Sequence, residues 1–311
     1  MNDWRERIDA AADRCTGLLR RTPLMVSRAL WNEQLVEIKL EQMQHTGSFK
    51  PRGAFNTLLS QDIPSAGVVA ASGGNHGAAV AYAADKLGLR AKIFVPELAG
   101  TAKTSLIEQY GAELVVVPGD YGDALAAARD WEAKSGALQV HAYDTPETVE
   151  GQGTLFREWE AQGLEADTVL VAVGGGGLIA GAMAWFEGDR KVVAVESAGC
   201  PTLATAMKQG VDAEIDVSGA AVNALGARRI GRICHALAVE QLIETTIVSD
   251  EAILEAQRLL WQKLRLLVEP AAAVPLAALR SGVYRPEPGE RVALLLCGAN
   301  VEPDPLGTAV A

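Results

Sequence analysis

The sequence predicts an α/β protein with open, mostly parallel sheets flanked by helices, and three observations predict it. Short β-branched runs alternate with alanine-rich stretches of helical length, the pattern of successive βα units. Glycines close those stretches where a left-handed cap is wanted: Gly88, Gly111, Gly136 and Gly163. The chain has 311 residues, 49% of them hydrophobic, which is enough for a large core and, at roughly 100–200 residues per domain, for two lobes. In order, 36–40 reads as a strand. Residues 68–71 precede a helix over 78–87, 92–95 precede 104–110, and 114–117 precede 123–134. Residues 169–173 precede a helix over 178–186, and 192–195 form the next strand. A helical pattern from 251 to about 266, a short one at 275–280 and a strand at 292–296 complete the series.

Composition narrows the function. With 28 Lys+Arg against 39 Asp+Glu the net charge is −11, and no basic run exceeds a pair such as Arg228-Arg229, so nucleic acid is excluded as a partner. Four cysteines lie far apart, with no CxxC pair and no metal-ligand spacing, which predicts reduced thiols in a cytoplasmic protein. The charged N-terminus lacks the apolar core of a signal peptide. Residues 168–186 carry no charge over 19 positions, yet four consecutive glycines at their centre would ruin a membrane helix; a strand, a glycine loop and a helix fit instead.

Four segments carry chemistry. In Thr46-Gly47-Ser48-Phe49-Lys50-Pro51-Arg52-Gly53-Ala54, Ser48 reads as a helix N-cap, which puts Phe49 and Lys50 in the first turn. The positive end of the helix dipole disfavours an ammonium there, so Lys50 should have a lowered pKa or be held as a Schiff base. Ser72-Gly73-Gly74-Asn75-His76, after a strand and before a helix, presents backbone N–H groups to an anion such as a carboxylate; it reads equally as a tight connection, with His76 a satisfied core histidine. Gly174-Gly175-Gly176-Gly177, followed by Leu178, is a phosphate cradle by the same physics. Gly175, Gly177 and Ala180 also fit a dinucleotide fingerprint, with Glu196 as its ribose-binding acid, so an NAD-binding oxidoreductase is a second reading. Cys297, in Leu296-Cys297-Gly298-Ala299-Asn300, is either core filler or a weak hydrogen-bond partner.

Taken together, with Arg21-Thr22-Pro23-Leu24, Lys39-Leu40-Glu41, Gly151-Gln152-Gly153-Thr154 and Val268-Glu269-Pro270, these segments resemble the fold-type II pyridoxal-phosphate enzymes of the threonine/serine dehydratase and serine racemase branch. The resemblance covers nearly the whole chain. It implies two α/β lobes, 1–67 with 144–311 and 68–143, with pyridoxal 5′-phosphate between them, and a homodimer. It implies that Lys50 forms the Schiff base with Phe49 beside the ring, that Asn75 meets the phenolic oxygen, that Gly174, Gly175, Gly176, Gly177 and the Leu178 amide hold the phosphate, and that Cys297 faces the pyridine nitrogen. Ser72, Gly73, Gly74, Asn75 and His76 would receive the substrate carboxylate. The implied reaction is β-elimination of water from L-threonine or L-serine followed by hydrolysis of the enamine, giving ammonia and 2-oxobutyrate or pyruvate. Phenylserine and 3-hydroxyaspartate are alternative substrates; racemisation, β-replacement and non-catalytic binding are alternative functions.

Departures from the family pattern carry further expectations. Gly73 stands where the racemase has a serine that reprotonates Cα, which implies little racemisation. At the family's cation site Glu196 and the Cys200 carbonyl are retained but Thr202 replaces the second acid, which implies a weak divalent ion, a monovalent ion or none. Asn223 stands where related dehydratases often have Asp. The chain stops soon after the 292–296 strand, which implies no appended regulatory domain.

Overall fold

The computed structural model describes residues 3–97 and 101–301, and the side chains of 101–103 are left aside. The elements in order are α1 (Trp4–Arg14), β1 (Leu24–Ser27), β2 (Val36–Lys39), α2 (Pro51–Ser60), β3 (Val68–Ala71), α3 (Asn75–Leu87), β4 (Ala91–Pro96), α4 (Thr101–Gln109), β5 (Glu113–Val117), α5 (Tyr121–Ser135), β6 (Leu138–Gln139) and α6 (Pro146–Ala161). There follow β7 (Thr168–Ala172), α7 (Gly177–Phe186), β8 (Lys191–Ser197), α8 (Thr202–Gln209), α9 (Val222–Leu225), α10 (Arg232–Glu240), β9 (Glu244–Val248), α11 (Asp250–Leu264), α12 (Pro270–Ser281) and β10 (Val292–Leu295).

The strands form two sheets, one of six in the order β1-β2-β10-β7-β8-β9 and one of four in the order β5-β4-β3-β6. Every pairing is parallel except β1 with β2, as alternating βα units require. Strands β3, β7 and β10 are buried along their whole length, which is why they read as unbroken apolar runs. The larger core gathers around the six-stranded sheet. A second lies between the four-stranded sheet and α3, and it also takes in Ala54, Phe55 and Leu58 of α2.

Two boundaries differ from the sequence reading in ways that matter. Helix α3 begins at Asn75, three residues before the predicted start, so Asn75 and His76 stand in its first turn. Helix α12 starts at Pro270 rather than 275: Pro270 occupies the first helical position, where no donor is needed, and Pro275 is carried inside a helix that is buried from Ala271 to Leu279. The left-handed caps at Gly88 (φ 66°) and Gly136 (φ 72°) stand where the sequence places them.

Helix α6 crosses between α2 and α7, and glycines let the backbones meet. A Cβ on Gly151 would lie 2.5 Å from the Arg52 carbonyl, and one on Gly181 would lie 2.6 Å from the Gly153 nitrogen. The same crossing is pinned by buried charge. Arg52 donates to Glu41 (2.5 and 3.0 Å) and to Glu158 (3.0 Å), and Lys39 donates to Glu158 (2.6 Å), to Gln162 (2.7 Å) and to the Thr22 carbonyl (2.9 Å). The turn that carries Lys50 is thereby fixed to the six-stranded sheet.

Candidate active site

The segments singled out in sequence meet at the C-terminal ends of β3, β7 and β10, the end of a parallel sheet at which ligands bind. Lys50 comes first. The sequence makes Ser48 the N-cap, but Ser48 is extended (φ −157°) and bridges to Gly298, while Lys50 itself precedes the helix, with Pro51 at the first helical position. Proline is preorganised for that position, and its ring moves the helix start past Ser48. The Phe49 N–H donates to the Cys297 carbonyl (3.1 Å), so the lysine turn is stitched to the end of β10. Lys50 Nζ donates to the Ala142 carbonyl (2.8 Å) and stands 5.0 Å from the Phe49 ring centre. Burial lowers its pKa to about 8 against the opposing pull of Cys297 and Glu269.

The loop of residues 72–74 turns from β3 into α3. Ser72 Oγ accepts from the Gly74 N–H (3.1 Å), and the first backbone bond of α3 is Ala78 N–H to Gly74 C=O. The amides of Asn75, His76 and Gly77 therefore have no partner within the helix. His76 does not face a ligand with its ring: Nε2 lies 2.9 Å from the Val140 carbonyl, and burial, reinforced by the charge of Lys50, pushes its pKa down to about 3. Its ring is the neutral core histidine that the sequence left open, and only its amide is available. Asn75 is buried, with Nδ2 donating to Glu269 Oε1 (2.7 Å) and Oδ1 accepting from Asn300 Nδ2 (2.8 Å).

The glycine run is packed so that no side chain fits. A Cβ on Gly174 would meet Leu225 Cα at 2.8 Å, one on Gly176 would meet Cys234 Sγ at 2.5 Å, and those on Gly175 and Gly177 would run into Tyr143. Gly176 is also left-handed (φ 90°). The first backbone bond of α7 is Ala180 N–H to Gly176 C=O (2.8 Å), so the amides of Gly177, Leu178 and Ile179 are unpaired within the helix. Tyr143 follows the carbonyl that Lys50 reaches, so the segment of residues 141–144 joins the lysine to the glycine loop. Cys297 is buried, and burial together with Glu269 holds its thiol neutral by raising its pKa.

These residues fit pyridoxal phosphate. A loop free of side chains, amides unpaired within the helix at its N-terminus and an amine with a lowered pKa answer, in turn, to a phosphate's need for close backbone approach, its need for donors and an aldehyde's need for a nucleophile. They do not fit the dinucleotide reading. Glu196 is buried, and its two oxygens accept from Leu203 N–H (2.7 Å) and Ala204 N–H (2.8 Å) at the start of α8. Beside it Thr202 Oγ1 donates to the Gly174 carbonyl (2.7 Å). Among the described residues no three His, Cys, Asp or Glu side chains are grouped to hold a metal ion.

Sequence reasoning missed Glu269, Tyr143 and the Ala142 carbonyl as members of the site. Glu269 could have been found, because Val268-Glu269-Pro270 was among the segments that carry the resemblance and a glutamate before a buried helix needs a partner. Tyr143 and Ala142 carry no signal, since a carbonyl and a packing ring leave no pattern in sequence.

The comparisons with known proteins agree. Residues 15–298 match the family described as pyridoxal-phosphate dependent enzyme, and the chain belongs to that family. It is 36% identical over 272 residues to a phenylserine dehydratase of Ralstonia pickettii, covering 86% of this chain and 83% of that one. It is 34% identical to an L-threonine ammonia-lyase of Geobacter sulfurreducens, covering 95% and 75% of the two chains. Among solved structures it is similar to a maize serine racemase (TM-score 0.88, 27% identity, 96% and 94% covered) and to a threonine deaminase of T.th. (TM-score 0.87, 32% identity, 96% and 98% covered). Pyridoxal 5′-phosphate is the cofactor, and the fold is that of the fold-type II enzymes.

Proposed function

We propose that this chain is an ammonia-lyase that eliminates water from L-threonine or L-serine to an enamine, which takes a water back on hydrolysis to give ammonia and 2-oxobutyrate or pyruvate. The observation that carries the reading is Lys50: a half-buried lysine with its pKa lowered to about 8, its amine held 2.8 Å from the Ala142 carbonyl where the four segments meet. When bound, pyridoxal phosphate supplies an electron sink for a bond broken at Cα. The amides of Gly177 and Leu178, unpaired within the helix, would hold the phosphate, and Asn75 would give a hydrogen bond to the ring's phenolic oxygen. Cys297, neutral and buried, would face the pyridine nitrogen without charging it, and the weaker electron sink this leaves suits an elimination. The substrate carboxylate sits on Ser72 and the amides of Asn75 and His76. Lys50, whose lowered pKa raises the share of neutral amine about neutral pH, would take the Cα proton.

A bulkier β-hydroxy amino acid such as phenylserine is the second reading, favoured by the likeness to the Ralstonia enzyme. The same reading divides the chain into lobes 1–67 with 144–311 and 68–143. It makes the protein a cytoplasmic homodimer, supported by four buried free cysteines and by the family. No helix among the described residues is long and apolar enough to cross a membrane.

The test is the visible spectrum of the purified protein before and after L-threonine, with oxo acid assayed in the same sample. A cofactor band that changes while oxo acid accumulates is the expected result, and Lys50→Ala should abolish turnover. Oxo acid formed at the wild-type rate by Lys50→Ala would sink the assignment.

A further inference from the structure

The Asn75 amide is oriented by a chain of hydrogen bonds anchored at both ends. At one end Asn300 Nδ2 lies 2.7 Å from the Thr46 carbonyl, an atom that only accepts, so this end of Asn300 is its NH2. The same nitrogen lies 2.8 Å from the Asn75 side chain, which must present its oxygen there. At the other end the Glu269 carboxylate lies 2.7 Å from the Asn75 side chain, which must present its nitrogen there. One amide orientation satisfies both anchors and the flipped one satisfies neither. Asn75 has two N–H donors, and Glu269 takes one, so a single N–H is left to give.

We propose that Glu269 and Asn300 are positioning residues that lock the Asn75 amide so that the site offers the cofactor ring one N–H and no oxygen. The proposal rests on the reading of Asn75 as the partner of the phenolic oxygen. It gives this point of the site a selectivity for acceptor oxygens, because a flipped amide would set oxygen against oxygen. It also explains a glycine: a Cβ on Gly298 would run into Glu269 Oε1. Glu269 enters from the start of α12 and Asn300 from beyond β10, both held on the six-stranded sheet, whereas Asn75 comes from the four-stranded one.

A double-mutant cycle on cofactor affinity tests it, with apoprotein titrated by pyridoxal phosphate and the absorption maximum of the bound cofactor recorded. Asn75→Ala should weaken binding about tenfold, the value of one hydrogen bond of about 1.4 kcal/mol, and shift the maximum. Glu269→Ala and Asn300→Asp should each reproduce most of both effects, and Asn75→Ala/Glu269→Ala should be no weaker than Asn75→Ala alone. Glu269→Gln, whose amide oxygen still accepts, should stay within about twofold of the natural protein. Additive losses in the double variant, or an Asn300→Asp protein with unchanged affinity and spectrum, would overturn the proposal while leaving the reading of Asn75 intact. An Asn75→Ala protein that binds normally would overturn both. Should Glu269→Ala fail to fold, the contrast between Asn300→Asp and Glu269→Gln decides the matter.

Discussion

An ammonium enclosed by protein loses its hydration, and at Lys50 that loss outweighs the nearby thiol and carboxylate, drawing the pKa from 10.5 to about 8. About one molecule in ten then carries a free amine at neutral pH, against roughly three in ten thousand for an ordinary lysine. Because the neutral form is the nucleophile, capture of pyridoxal phosphate by apoprotein should accelerate about tenfold per pH unit below 8 and level off above it. Stopped-flow capture rates between pH 6 and 10 check this; a rate still climbing steeply at pH 10 would mean an unperturbed lysine. The direction of the shift was legible in the sequence, but its cause was not. A helix dipole behind Ser48 predicts the same direction, but Lys50 precedes the helix and burial is the leading cause. Burial of one side chain depends on contacts such as Ala142, 92 residues away, and no local pattern reports it.

Elements were read more securely than residues, because a strand, a glycine loop and a helix each leave a local signature. The runs at 68–71, 92–95 and 169–173 all lie on observed strands, with ends shifted by no more than one residue. Strands β1, β6 and β9 were not seen: β6 has two residues, and β1 and β9 are edge strands of mixed exposure with no clear alternation. The site's loops were visible as glycine runs, but what presses on them was not, since Tyr143, Leu225 and Cys234 arrive from elsewhere in the chain. That packing makes a prediction. Gly176→Ala adds a side chain at a left-handed position and against Cys234, so pyridoxal phosphate should bind at least about tenfold more weakly. Gly188→Ala is the control, since its φ of 89° imposes the same backbone strain in open space. Its dissociation constant should be unchanged although its melting temperature falls. Equal losses of affinity in the two variants would show that backbone strain alone accounts for the effect.

At the scale of the molecule the site is assembled from both sheets. Asn75 follows β3 of the four-stranded sheet, while the glycine loop, Glu269 and Cys297 belong to the six-stranded one. A ligand held by both should stabilise both together. With free pyridoxal phosphate at a hundred times its dissociation constant, folding should gain about 2.7 kcal/mol, seen as one cooperative melting transition moved upward. Differential scanning calorimetry of apoprotein and loaded protein checks this, and a transition that splits, with one half unmoved, would place the ligand on a single sheet. Length called for two lobes and the βα alternation for mostly parallel sheets, and the strands do form two such sheets. The order β2-β10-β7, which sets the last strand in the middle of the larger sheet, was not legible, because strand order depends on crossovers that sequence does not record.

That central place of β10 bears on how the chain is made. A ribosome that has released residue 139 has delivered all four strands of the smaller sheet, which can close at once. The larger sheet is then held apart, β1 and β2 on one side and β7 to β9, still to come, on the other, until β10 emerges on the order of ten seconds later. The hydrogen bonds that tie Phe49 to Cys297 and Gly47 to Ala299 form only then. Nascent chains therefore carry an unfixed lysine and an open sheet edge until β10 has emerged, so chaperone release and cofactor capture should both wait on that strand.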